Sequence, residues 1–280
     1  MRLRLTPVFT LALAAAFPAH AQSAQPIKVL IVSGGCCHNY AAQRASIEAG
    51  LKARINVAVT HVFYDPKQGD KATRPALPIY HNPQYADAYD VVIHNECAAD
   101  EDDPAVLDAV LAPHRLGKPG VNLHCAMHSY RSGDYKQAVK PGDANARWFA
   151  YTGIQSSGHG PQSPIHLTAA SAHPITVGFT PFVTADEELY NNLTRFDVTP
   201  VLSGIQPQAK DPAERARRFD VAWTHYYGPQ RAPVFSITLA HNEAGIADPR
   251  YLDLLARGLL WATGHLGADG KVDPAYARPR

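Results

Sequence analysis

The sequence predicts an α/β fold, a three-layer sandwich around a mostly parallel sheet, and three observations predict it. Short β-branched runs alternate with stretches of helical spacing. The runs are apolar throughout, as strands covered on both faces must be. The first run, Lys28 to Gly35, ends in a glycine pair and leads directly into a helical pattern, Tyr40 to Leu51.

The elements follow in order. Val57 to Tyr64 reads as a second strand and Tyr89 to Asn95 as a third, before Pro104 opens a helix that runs to about Ala112. Gly120 to His124 is a fourth strand. The middle, Lys140 to Pro212, is rich in Gly, Pro, Ser and Thr; it reads as long loops with a few strand-like pieces such as Ile165 to Thr168. Val221 to Tyr226 and Val234 to Leu239 flank Gly228-Pro-Gln-Arg231, the signature of a hairpin or of two neighbouring strands. Asp248 and Pro249 then start a helix whose apolar face is Leu252, Leu255, Leu259 and Leu260, and Gly264 ends it. The tail beyond Gly264 reads as loosely held.

The chain has 280 residues, 46% hydrophobic and 18% charged, which excludes a disordered tail and a small disulfide scaffold. A net charge of +1 supplies no field for nucleic acid. Arg2 and Arg4 precede the apolar run Val8 to Phe17, and Ala19-His20-Ala21 offers small residues at a cleavage site. Residues 1–21 are therefore read as a secretory signal, too short in its apolar part for the ~20 residues of a membrane span. Residues 22–280 are read as one domain, nearly neutral, periplasmic or secreted, and without a membrane contact once the signal is removed. Cys36, Cys37, Cys97 and Cys125 allow three pairings that the sequence does not rank. A Cys36–Cys37 bridge would close a strained ring, so small loop thiols are the expectation there.

Fourteen histidines are the one compositional excess. In an open parallel sheet, ligands bind beyond the carboxyl ends of the strands, and several imidazoles fall there. His38 follows the first strand, His94 and Glu96 end the third, His124 and His128 follow the fourth, and His241 closes the last. The expected ligand set for zinc or another divalent metal is His94, His124 and His241, with an open position for a sugar oxygen. Glu96 or His128 would move the proton, with His124 at the reacting centre. His61, His81, His114 and His265 are read as structural. Two other readings stay open, a metal-free pocket for a hydroxyl-rich ligand and a Cys125 nucleophile beside His241-Asn242-Glu243. A nucleophile elbow needs small residues two positions to either side, and Leu123 and Met127 flank Cys125 whereas Asn122 and Ala126 flank His124. His124, not Cys125, fits such an apex.

Together these residues resemble the ThuA-like, trehalose-utilisation family. The resemblance rests on Val29 to Gly35 with His38 and Tyr40, Tyr89 to Cys97, Gly117 to Arg131, Trp148, Gly153, His159, His173-Pro-Ile175, Glu187-Glu-Leu-Tyr190, Val221-Ala-Trp223 and Gly258-Leu-Leu-Trp261. It implies a flavodoxin-like, amidotransferase-like sheet, a role in carbohydrate metabolism, and replacement of the amidotransferase cysteine. No nucleotide cofactor is expected. A small-molecule carbohydrate would meet His38, Tyr40, Trp148 and His159, with the Trp148 indole available to stack on a sugar ring. Glu187 and Glu188 read as a solvated pair and Tyr190 as a packed phenol. One departure stands out: the family's common Gly-Lys-Gly-Arg turn is Gly228-Pro-Gln-Arg231 here.

Overall fold

The structure, a computed structural model, describes residues 24–64, 73–75 and 77–278. The segment read as a secretory signal lies outside the described residues. From the amino end, β1 (Ile27–Gly35), α1 (Tyr40–Lys52), β2 (Val57–Tyr64), β3 (Val91–Cys97), α2 (Pro104–Arg115) and β4 (Gly120–Leu123) follow one another. Next come α3 (Arg147–Thr152), β5 (Ile154–Gln155), β6 (His159–Ala169), β7 (Phe182–Tyr190), β8 (Thr194–Arg195) and β9 (Thr199–Ile205). The chain closes with α4 (Pro212–Arg215), β10 (Phe219–Tyr227), β11 (Ala232–Ile237), α5 (Glu243–Ala247) and α6 (Pro249–Ala262).

Nine strands form one sheet in the order β2-β1-β3-β4-β11-β10-β9-β6-β7. The first five run parallel, in the flavodoxin-like order, and the remaining four extend the sheet antiparallel. Alternation along β1 explains the two core layers. Val29 and Ile31 join the layer that contains Leu51 of α1 and Leu255 and Leu259 of α6, whereas Leu30 and Val32 join Val110 and Leu111 of α2 and Trp148 of α3. Each strand of the parallel part therefore had to be apolar on both faces.

The middle of the chain is more ordered than its composition predicts. β6 and β7 pair over most of their length, while β6 meets β9 only from His166 to Ala169. Pro161 and Pro164 lie ahead of that doubly paired stretch, where a missing N–H breaks no ladder on the open side. The tail is also held: Asn56 N–H donates to the Tyr276 carbonyl, and the Tyr276 ring stacks on His265 at 3.7 Å. Among the described residues no helix is long and apolar enough to cross a membrane.

Candidate metal centre at the carboxyl edge of the sheet

Three of the parallel strands deliver a histidine to one point. β1 ends at Gly34 and Gly35, both at positive φ. A Cβ on Gly35 would sit 2.2 Å from the Cys97 carbonyl oxygen, so only glycine lets the loop toward His38 leave this close to β3. β4 ends at His124, which takes the left-handed φ of 39° and opens a 3-10 turn to His128. A non-glycine residue in that region is an uncommon conformation that surrounding structure must hold. Past β11, Ala240 at φ 76° turns the chain so that His241 faces the same point.

Hydrogen bonds fix the rings. His38 Nδ1 lies 2.9 Å from the His241 carbonyl and His124 Nδ1 lies 2.6 Å from the Thr238 carbonyl. A carbonyl only accepts, so both Nδ1 atoms carry the proton, and each Nε2 is left to face the cluster. His241 Nδ1 stands 3.3 Å from His124 Nε2. One ligating atom from each of His38, His124 and His241 lies within 4.8 Å of the others. Backbone carbonyls that orient imidazoles in this way are the usual outer partners of metal-binding histidines.

A carboxylate completes the group, and it is Glu188 of β7. Its oxygens lie 3.4 Å from His124 Nε2, 3.3 Å from His241 Nδ1 and 3.5 Å from His159 Nε2, and Gln162 donates to it at 3.2 Å. Burial works to raise its pKa, but the His124 hydrogen bond and the charges of His124, His159 and His241 outweigh that and hold it at about 2. Burial, helped by the charges of His124 and His241, takes His38 down to about 3, and burial also lowers His241. Glu187, on the opposite face of the strand, accepts from the backbone N–H groups of Ala240 and His241 at 2.9 and 3.1 Å and so pins the turn that carries His241.

Around this centre the other expected residues take different places. Tyr190 O–H lies 3.3 Å from His124 Nε2, and its ring stacks on His128 at 4.0 Å and 2°. His128 is thus behind the phenol, with Nε2 bonded to Ser156 Oγ and its pKa held well below the usual range by burial. His159 and Gln162 are exposed at the rim. Tyr40 is buried, presents its ring edge to His38 and donates to the Cys36 carbonyl.

His94, Glu96 and Trp148 are not brought to the cluster, which corrects the expected ligand set, the expected Glu96 base and the expected stacking indole. The cause for the first two is strand parity: along β3, Val91 and Ile93 face the α1 and α6 layer, so His94 and Glu96 point with Val92 toward α2. There His94 Nδ1 meets Glu96 Oε1 at 2.8 Å and His94 Nε2 meets His114 Nε2 at 3.0 Å, while Tyr80 and Tyr130 donate to the same Glu96 oxygen. Trp148 is 1% exposed; its Nε1–H donates to the Ala126 carbonyl and braces the turn after His124 from behind. His38, expected to touch substrate, stands in the ligand position expected of His94.

Sequence reasoning missed Glu188, Gln162 and the His124 contact of Tyr190. The available signal was Glu187-Glu-Leu-Tyr190 itself, in which neighbouring acids on a strand must face opposite sides, so one of them faces the sheet interior. The four cysteines form two disulfides, Cys36–Cys37 and Cys97–Cys125. The vicinal bridge replaces the expected loop thiols, and Cys125, bonded to Cys97, presents no thiol for a nucleophile. The Gly228-Pro-Gln-Arg231 turn joins β10 to β11 at the opposite edge of the sheet, beside Arg115 and Gly117. Its departure from the family pattern does not reach the histidines.

The family model for ThuA, described as trehalose utilisation, matches residues 28–262. The chain belongs to the ThuA family. Two solved ThuA-like structures share its fold. One, from Parabacteroides merdae, covers 91% of this chain and 98% of its own at 15% identity and a TM-score of 0.62. The other, from Bacteroides uniformis, covers 92% of this chain and 99% of its own at 16% identity and a TM-score of 0.59. No curated protein matches the sequence.

Proposed function

We propose that this ThuA-family chain acts on a sugar or keto-sugar at a divalent-metal centre held by His38, His124 and His241. The observation that carries the reading is the convergence of three imidazole nitrogens, with the far nitrogens of His38 and His124 already committed to backbone carbonyls and that of His241 to Gln162. The donor set fits: three nitrogens suit zinc or a similar borderline ion, and a tetrahedral ion at about 2.0–2.1 Å from each would separate them by roughly 3.3 Å. When bound, such an ion supplies Lewis acidity toward a sugar hydroxyl or carbonyl oxygen.

The chain's own groups supply the rest. Glu188, ionised at neutral pH, is the base that takes a proton from a substrate hydroxyl or from carbon beside a carbonyl. The Tyr190 phenol, kept protonated because burial raises its pKa, donates to substrate oxygen from beside His124. His159 and Gln162, exposed at the rim, bind the sugar's outer hydroxyls. His128 holds the Tyr190 ring by stacking and is a positioning residue. Gln162 Nε2 meets His241 Nε2 at 2.9 Å and so holds that ring at the rim. The leader-like residues 1–21 and the two disulfides both favour a periplasmic or secreted place of work.

Elemental analysis of the purified protein and turnover of trehalose and its 3-keto derivative, with and without chelator, test the reading. The expected result is about one equivalent of metal and chelator-sensitive turnover. Sugar binding without turnover and indifferent to chelator would replace it with a non-catalytic carbohydrate-binding role.

A further inference from the structure

The two disulfides do not lie apart. Cys36 Sγ is 3.5 Å from Cys97 Sγ, although Cys36 is bonded to Cys37 and Cys97 to Cys125. The contact is built by the sheet: β1 and β3 are paired with Gly35 opposite Cys97, and Cys36 N–H donates to the Cys97 carbonyl at 3.3 Å. Three of the four cysteines are buried, and Cys37 alone is exposed, on a left-handed backbone at φ 83°. One bridge thus has an end open to solvent, and its buried end touches the second bridge.

We infer that the four cysteines form a thiol–disulfide exchange relay that accepts two electrons from a dithiol, entering at Cys37 and leaving a thiol at Cys125. In the first step a thiolate of the donor attacks Cys37 Sγ. A donor–Cys37 bond forms, the Cys36–Cys37 bond breaks, and its electron pair leaves on Cys36. The Cys36 thiolate then attacks Cys97 Sγ, 3.5 Å away. The Cys36–Cys97 bond forms, Cys97–Cys125 breaks, and Cys125 takes the pair and a proton. The donor's second thiolate finally attacks its own sulfur in the mixed disulfide, departs as a cyclic or paired disulfide, and leaves Cys37 as a thiol. The donor is oxidised by two electrons, and the protein passes from two disulfides to one disulfide and two thiols.

The two sulfurs freed are Cys37, which precedes His38, and Cys125, which follows His124. Exchange therefore unties the vicinal ring before one histidine and the tether behind another, and ties the ends of β1 and β3 together through Cys36–Cys97. A buried sulfur with no neighbouring bridge has no such route, because access to the leaving and attacked atoms governs exchange.

The test reads pairing by peptide mapping and needs no metal and no substrate, so its outcome is separate from that of the proposed function. Wild-type protein is treated with one equivalent of dithiothreitol and quenched at intervals with N-ethylmaleimide. The expected map shows a Cys36–Cys97 cross-linked peptide with label appearing on Cys37 and Cys125 together. Label on Cys36 and Cys37 with Cys97–Cys125 intact overturns the relay. Cys37→Ser gives a second reading, with the maleimide expected on Cys125 and not on Cys36. In Cys36→Ser the relay lacks its middle sulfur, so Cys97–Cys125 should persist with Cys37 labelled; loss of that bridge in Cys36→Ser would also overturn the proposal.

Discussion

The sheet carries a cluster of histidines and a carboxylate on each side, and the two are built to opposite ends. On the α2 side, His94, His114 and Glu96 are each 0% exposed. Every ring nitrogen there has a partner: His94 bonds Glu96 and His114, and His114 Nδ1 bonds the Lys118 carbonyl. At the carboxyl edge, His38 and His241 are only half-buried, and nitrogens of three imidazoles converge within 4.8 Å of one another. A sealed set of imidazoles that bond one another and the backbone stabilises and specifies a core, whereas imidazole nitrogens that converge near solvent can open to a ligand. Composition and proximity to a strand end do not separate the two cases; the direction of the ring does.

Breaking the sealed cluster should give the largest effect, and on stability alone. His94→Ala removes the imidazole that bridges Glu96 and His114 in the core, which costs about 3 kcal/mol in denaturant unfolding while metal affinity stays at the wild-type value. His124→Ala should do the reverse, lowering zinc affinity by at least ~100-fold in a competition titration with a small change in unfolding. Glu188→Gln, which removes the charge beside the cluster but no ligand, should weaken zinc by about tenfold and abolish turnover. Equal losses of metal in His94→Ala and His124→Ala would erase the distinction between the two sides.

The smallest effect is in pH. His38 titrates at about 3 in the folded protein, below its ordinary 6.5, so protons favour the unfolded chain between those values. Its contribution to stability is present above pH 6.5 and is lost as pH falls toward 3. Glu188, at about 2 instead of 4.5, adds a further loss as pH falls from 4.5 toward 2. Thermal melts of metal-free protein should therefore show Tm declining below pH 6.5. His38 has no proton to shed at pH 6, so its share of zinc affinity should hold from pH 7.5 to 6, where an ordinary imidazole would weaken.

The parallel half of the fold was legible because each strand must be apolar on both faces, and that leaves runs such as Val29 to Val32 that nothing else explains. The antiparallel half was not, because β6 and β7 are half-exposed and carry Pro161 and Pro164 where one side of the ladder is open. In the site, His124 and His241 could be found because His124 directly follows β4 and His241 closes the apolar run that continues β11 to Leu239. His94 misled because it lies within β3, and in a strand buried on both faces the pattern of hydrophobicity does not say which way an odd or even residue points. Alternation at Glu187-Glu188 turns one acid inward, but that Glu188 meets the histidines depends on pairing across the antiparallel half, which the sequence did not reveal.

In the proposed centre, His38, His124 and His241 together hold one divalent ion. Cobalt titration of the metal-free protein, followed by visible absorption, tests it most directly. The prediction is saturation at about one equivalent with the intense bands of a four-coordinate site, retained in His94→Ala and lost in His38→Ala, His124→Ala and His241→Ala. Cobalt binding that survives all three of those substitutions, or no stoichiometric binding by the wild-type chain, would contradict it.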